Sequence, residues 1–296
     1  MIRSRWDDFW FRWYAPLPLA AFRVVVCVLL LYTFTKDSGF VAPWVGAGQP
    51  YFGDGFYSSY ASWLTPPPAP VFRWTSRLLV LLTALGLVGL ATQASLRAAS
   101  ILFFYHFFLN QFFYSNHLYL LGLFLLFAAF MPCADALSVD AWLRHRHGER
   151  SPQAVCSWAA TLVLVTVSVV YVGSALSKTN AAWLSGTVLE TLYAHNSIVA
   201  PPGLAVVEHV PFGLQAIGVV VTEFALAVLL WPVRTRVWAF LIGIGLHVFM
   251  DVTMAIGTFS WEMMGAYLVF VALRPAPFFA ATPAPIEERE AVRAPE

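Results

Sequence analysis

The stretch that decides the fold is Ala98–Met131, AASILFFYHFFLNQFFYSNHLYLLGLFLLFAAFM. It is apolar over 34 residues. As one helix at about 1.5 Å per residue it would run roughly 50 Å. A bilayer's hydrocarbon core is only about 30 Å thick. The stretch is therefore expected as two short helices, breaking at Tyr114-Ser115-Asn116. Outward from it, further runs have the length and apolarity of membrane crossings: Leu17–Thr35, Leu78–Ala94, Ala154–Leu176, Phe212–Trp231, Val237–Val252 and Thr258–Leu273. With the hairpin halves Ala98–Phe113 and His117–Met131, the expectation is eight spans. The last pair splits near Asp251–Gly257 and is also short, so both hairpins can be partly re-entrant.

Composition agrees. The 296 residues are 59% hydrophobic and 11% charged, with a mean hydropathy of +0.70, where an ordinary soluble domain carries about 25% charge. Seventeen Lys and Arg against sixteen Asp and Glu leave no basic excess for nucleic acid. Three widely spaced cysteines, Cys27, Cys133 and Cys156, give no disulfide or metal framework. The expected fold class is an all-α, polytopic membrane bundle of about eight helices. Residues 1–275 form one transmembrane domain, and 276–296, rich in Pro, Ala and Glu, a disordered cytoplasmic tail.

Loop charge sets the orientation. With the N-terminus inside, twelve Lys and Arg fall on inner segments, among them Arg12, Arg97, Arg144, Arg146, Arg234 and Arg236. Only Lys36, Arg73, Arg77 and Lys178 fall outside. This positive-inside bias places both termini in the cytoplasm. No cleavable signal peptide is visible, and the Trp- and Arg-rich start reads as a segment lying along the headgroups. The loop Lys36–Trp74, rich in Gly, Pro and aromatics, reads either as a cap over an outer cavity or as a belt of interfacial aromatics.

Ionisable groups at membrane depth cost about 2.5 kcal/mol or more, so each is a candidate for function. They are Arg23, His106, His117, Glu223, His247, Asp251 and Glu262, with Lys178 at the outer end of the fifth span. The bland reading beside the functional one is simple packing for His106 in its aromatic run and, for Arg23 and Glu223, pairing within this polar set to fix helix packing. Asn116-His117 opens the fourth span on the side where Lys178 closes the fifth, so imidazole and amine can face one outer cavity. His247 and Asp251 lie one turn apart on one helix face, where the carboxylate could orient the ring; two such ligands make no metal site. Lys178 either snorkels and caps carbonyls or stands as a buried amine, whose charged form desolvation disfavours, and serves as a general base.

Several short pieces in order resemble a known family: Leu19-Ala20-Ala21-Phe22-Arg23, Asn116-His117-Leu118-Tyr119-Leu120, Ser138-Val139-Asp140, Leu176-Ser177-Lys178 with Trp183 and Gly186, Gly245-Leu246-His247 and Ile256-Gly257-Thr258-Phe259. Over roughly residues 15–275 the chain is similar to the vitamin K-dependent gamma-carboxylases and the bacterial horizontally transferred transmembrane (HTTM) domain proteins. The resemblance implies a lyase-type carboxylase or quinol oxygenase-epoxidase in the bacterial cytoplasmic membrane, with its site toward the outer face. Its co-substrate would be reduced vitamin K or a menaquinol-type quinol, with O2 and CO2, and its acceptor a peptide or protein glutamate; no metal or nucleic acid is implied. In that family a lysine deprotonates the quinol, oxygen adds as the quinone becomes its epoxide, and the resulting alkoxide removes the glutamate γ-proton.

Carried over, Lys178 is the base and Asn116 and His117 hydrogen-bond the intermediates. His247, Tyr119 and Trp183 line the cofactor cavity. Two departures stand out. Ser177 replaces the first of two adjacent lysines, and only 22 residues follow Arg274, where the carboxylases continue into a propeptide-recognising domain. A non-catalytic HTTM protein that binds a lipid, peptide or partner protein therefore stays open. So does a transporter using Glu223 or Glu262.

Overall fold

The computed structural model describes residues 5–35, 63–64, 67–109, 114–194, 209–254 and 256–273. The expected cap within 36–62 and the expected disordered tail lie outside the described residues. Among the described residues the chain runs α1 (Arg5–Trp10), β1 (Trp13–Tyr14), α2 (Pro16–Thr35), α3 (Ala69–Val88), α4 (Thr92–Leu109), α5 (Asn116–Phe130) and α6 (Val139–Arg146). After it come β2 (Val155–Cys156), α7 (Trp158–Lys178), α8 (Ala181–Leu184), α9 (Thr187–Ala194), α10 (Phe212–Leu229), α11 (Val233–Thr253) and α12 (Phe259–Ala272). The protein is an all-α membrane bundle. Among the described residues each expected apolar run falls largely within helix.

Among the described residues five helices, α2, α3, α7, α10 and α11, are long and apolar enough to cross a bilayer. Helices α5 and α12, with 15 and 14 residues, reach only about 21–23 Å. Both belong to the hairpins that the sequence marked as short.

Local chemistry sets the breaks. Ser115 stops the long apolar stretch by accepting the Leu118 N–H at 3.3 Å and capping α5. Ser157 caps α7 in the same way. The second and third spans start earlier than expected: the helices are Ala69–Val88 and Thr92–Leu109, not Leu78–Ala94 and Ala98–Phe113. Gly89 ends α3 in the left-handed region at φ 73°, and the Asp140 carboxylate caps the start of α4 through Ala91 N, Thr92 N and Thr92 Oγ1. Arg73 and Arg77, expected in an outer loop, are thus helical.

Helices α2 and α12 pack against each other at the centre, with α5 and α7 beside them. Gly265 lets α12 approach α2, because a Cβ there would stand 2.6 Å from a Val25 methyl. Phe22, Phe103, Phe124 and Phe270 fill the interior. Antiparallel β1 and β2 pair Trp13 with Cys156 and Tyr14 with Val155. Tyr14 also bridges Leu273, and Ala15 N donates to Ala272 O at 2.7 Å. The chain therefore enters and leaves the bundle at one end, the entry end. Lys178, Asn116 and the turn before α12 sit toward the opposite end. Outward faces stay apolar, as on α11 at Val237, Trp238, Leu241 and Val248, where lipid is the solvent.

Candidate functional site

Helix α7 carries Tyr171, Ser174 and Lys178 at spacings of three and four, so all three share one face. That face meets α10 and α12. The Lys178 side chain turns back along its own helix. Its Nζ donates to Glu223 Oε1 at 2.9 Å and Oε2 at 3.0 Å, to Ser174 O at 3.3 Å, and to Ser174 Oγ. Ser174 Oγ donates to Glu223 Oε1 at 2.9 Å. The lysine side chain is 16% exposed and the glutamate 5%. The amine is thus half of a pair with Glu223, where the sequence reading had it stand alone. After α7, Asn180 caps α8 through the Trp183 N–H at 3.1 Å. This turn lays the Trp183 ring 5.9 Å from the ammonium.

Two turns back from Lys178 along α7, Tyr171 Oη bonds His247 Nε2 at 2.8 Å and also Tyr267 Oη. This joins α7, α11 and α12 at one buried point. Ser260 Oγ donates to the His247 carbonyl at 3.2 Å. His247 Nδ1 has no partner among the described residues, so Asp251 does not orient the ring as the one-turn spacing suggested. Tyr171 does.

The other sequence candidates lie apart from this cluster. Asn116 is exposed and accepts from Tyr114 Oη at 3.3 Å. His117, half-buried, turns Nε2 toward Gly257, where a Cβ would stand 3.8 Å away. Tyr119 is 41% exposed, its ring 6.0 Å from Phe107. No hydrogen bond or ion pair joins His117 or Asn116 to Lys178 among the described residues.

A family model for the HTTM domain matches residues 11–274. The chain belongs to the HTTM domain family. Comparison with curated proteins and with solved structures returns no match.

Within this HTTM domain the remaining buried polar groups do structural work. Arg23, fully buried, donates to Leu137 O and so ties α2 to the loop before α6. His106 packs its ring 4.7 Å from Phe72. Glu262 Oε1 accepts from Thr258 Oγ1 at 2.6 Å, while Oε2 has no partner among the described residues.

Three members of the HTTM cluster, Ser174, Tyr171 and Tyr267, were missed from sequence. The stripe Tyr171, Ser174, Lys178 was a usable signal; Tyr267 had none, being one aromatic in a chain that is 16% aromatic. Chemically, the cluster offers a proton-holding Lys–Glu pair at the end of α7, backed by a Tyr–His–Tyr knot.

Proposed function

We propose that this HTTM protein is a gamma-carboxylase-like membrane enzyme that takes a menaquinol-type quinol from the bilayer and receives its proton on the Lys178–Glu223 pair. The observation that carries the reading is the pair itself, a half-buried amine and a buried carboxylate joined at 2.9 Å. The residues present suit an aromatic diol. Among the described residues Glu223 Oε2 accepts only from Lys178, which leaves a lone pair for a hydroxyl donor. The Trp183 indole gives a flat apolar wall beside the ammonium.

The bound quinol supplies the oxygen chemistry, with O2 as oxidant and CO2 and a peptide glutamate as the carboxylation arm. The chain's residues hold and move one proton. Starting from ammonium and carboxylate, Lys178 Nζ passes a proton to Glu223 and takes the quinol's proton in its place. The pair gains one positive charge, which balances the anion left on the substrate. Ser174 fixes Oε1 and keeps Oε2 turned to the incoming hydroxyl. Eight crossings, both termini in the cytoplasm and a site toward the outer face of a bacterial membrane complete the proposal, supported by the positive-inside bias.

The test uses the full chain in nanodiscs with reduced naphthoquinone and oxygen, and reads epoxide by mass spectrometry. Wild type is expected to form it. Lys178→Ala, Lys178→Arg and Glu223→Gln are expected to lose it, since Arg cannot be deprotonated in a protein. No epoxide from wild-type protein that still binds quinone overturns the reading. A second reading rests on the fact that the same ion pair fastens α7 to α10. The domain then binds a lipid, peptide or partner protein without chemistry, and Lys178→Arg keeps both fold and binding.

A further inference from the structure

At the entry end, far from Lys178, a second group of polar and aromatic side chains converges on Trp231. The Arg12 guanidinium carbon lies 4.9 Å from the Phe9 ring centroid and 5.5 Å from that of Trp231. These two rings stack at 5.9 Å and 24°. Arg236 grips the Trp231 carbonyl at 2.7 Å, and also Phe270 O at 3.0 Å and Leu230 O at 3.1 Å. The indole Nε1 in turn donates to Ser168 Oγ at 2.8 Å.

Two cations therefore hold one interfacial tryptophan. Among the described residues no carboxylate forms an ion pair with either arginine. Among the described residues Arg12 bonds only through Nε, to Phe9 O at 3.1 Å, and its terminal nitrogens have no hydrogen-bond partner there. Arg236 has two of five N–H groups left.

Directly beyond Trp231, a trough of about 350 Å³ runs along the outer face of α7, past Val165, Ser168, Val169, Val172 and Gly173. Val169 is 62% exposed, and nothing stands within 4 Å of where a Gly173 Cβ would lie. The trough spans about 12 Å of helix and faces the bilayer.

We propose that this notch is a binding site for an anionic phospholipid. The phosphodiester sits on Arg12 and Arg236, and one acyl chain lies in the α7 trough. An apolar trough that begins at a cationic, tryptophan-marked interface matches the two halves of a lipid. The guanidinium edges suit bidentate phosphate contact. A zwitterionic headgroup brings a second cation toward two arginines, so charge complementarity selects the anionic class.

The test titrates the full chain in neutral detergent with phosphatidylglycerol and with phosphatidylcholine of the same acyl chains, counting bound lipid by native mass spectrometry. Wild type is expected to prefer phosphatidylglycerol about tenfold, the scale of one charge-assisted contact. Arg12→Gln, which breaks no side-chain bond beyond that to Phe9 O, is expected to abolish the preference, and Arg12→Lys to keep most of it. Gly173→Leu fills the trough and is expected to weaken both lipids alike. Equal binding of the two lipids by wild type overturns the proposal, as does a preference that survives Arg12→Gln. Arg236 is left unsubstituted because its three carbonyl bonds close helix ends.

Discussion

Glu223→Met should destabilise the domain far more than Glu223→Met combined with Lys178→Met. At 2.9 Å the gross attraction of the pair is roughly 6 kcal/mol at an effective dielectric constant of about 20. Most of that offsets the desolvation of two charges. Removing the carboxylate alone leaves the ammonium with Ser174 O and Ser174 Oγ. Truncations of this kind cost about 3–5 kcal/mol. With 16% of its side chain exposed, Lys178 can swing part-way to water, which points to the lower end, about 3 kcal/mol. Replacing both partners by Met removes both charges and is expected to lie near wild type. The assay is a double-mutant cycle on reversible unfolding in mixed micelles, with a coupling energy of at least about 2 kcal/mol expected. Single variants each within about 0.5 kcal/mol of wild type, adding in the double, would refute the ion pair as a structural element.

Further outcomes follow from other contacts. Burial alone would raise the Asp140 carboxyl, but hydrogen bonds from Thr92 and Ala91 and the charge of Arg144 outweigh it and hold it below the ordinary value. Its contribution, about 1 kcal/mol as a helix cap, is present above about pH 4 and is lost as pH falls through the folded value. The melting difference between wild type and Asp140→Asn should therefore close on acidification. Tyr171→Phe strips His247 Nε2 of its partner and should cost about 1–3 kcal/mol, read as a lower melting midpoint. Gly243→Ala gains helix propensity of about 1 kcal/mol, yet its methyl would meet Tyr267 Cζ at 2.8 Å; a net loss of midpoint is expected. Of the three thiols, Cys156 is exposed while Cys27 and Cys133 are buried. A membrane-impermeant maleimide should label Cys156 only after permeabilisation if the entry end is cytoplasmic, and labelling in intact cells would reverse the orientation.

Where the signal was local, the sequence was legible. The break in Ala98–Met131 was visible because Ser115 can cap a helix from within its own turn. The second span was misplaced by about two turns because its end depends on Gly89 in a left-handed conformation and on Asp140, 48 residues after Thr92. Lys178 stood out as an amine at a span end. Its partner did not, since Glu223 lies 45 residues further on and Asp251 and His117 were equally available by side and depth.

The sequence by itself determined that this chain lives in a membrane, which apolar runs form its helices, and which polar residues must be satisfied inside. Those properties depend on hydropathy and on capping within a few residues. The tertiary structure alone decided the pairings: Lys178 with Glu223, His247 with Tyr171 and Tyr267, Arg23 with Leu137 O. Which faces meet depends on how each helix is rotated against its neighbours, and that rotation is set by the packing of small residues such as Gly265 and Gly243 across the whole bundle.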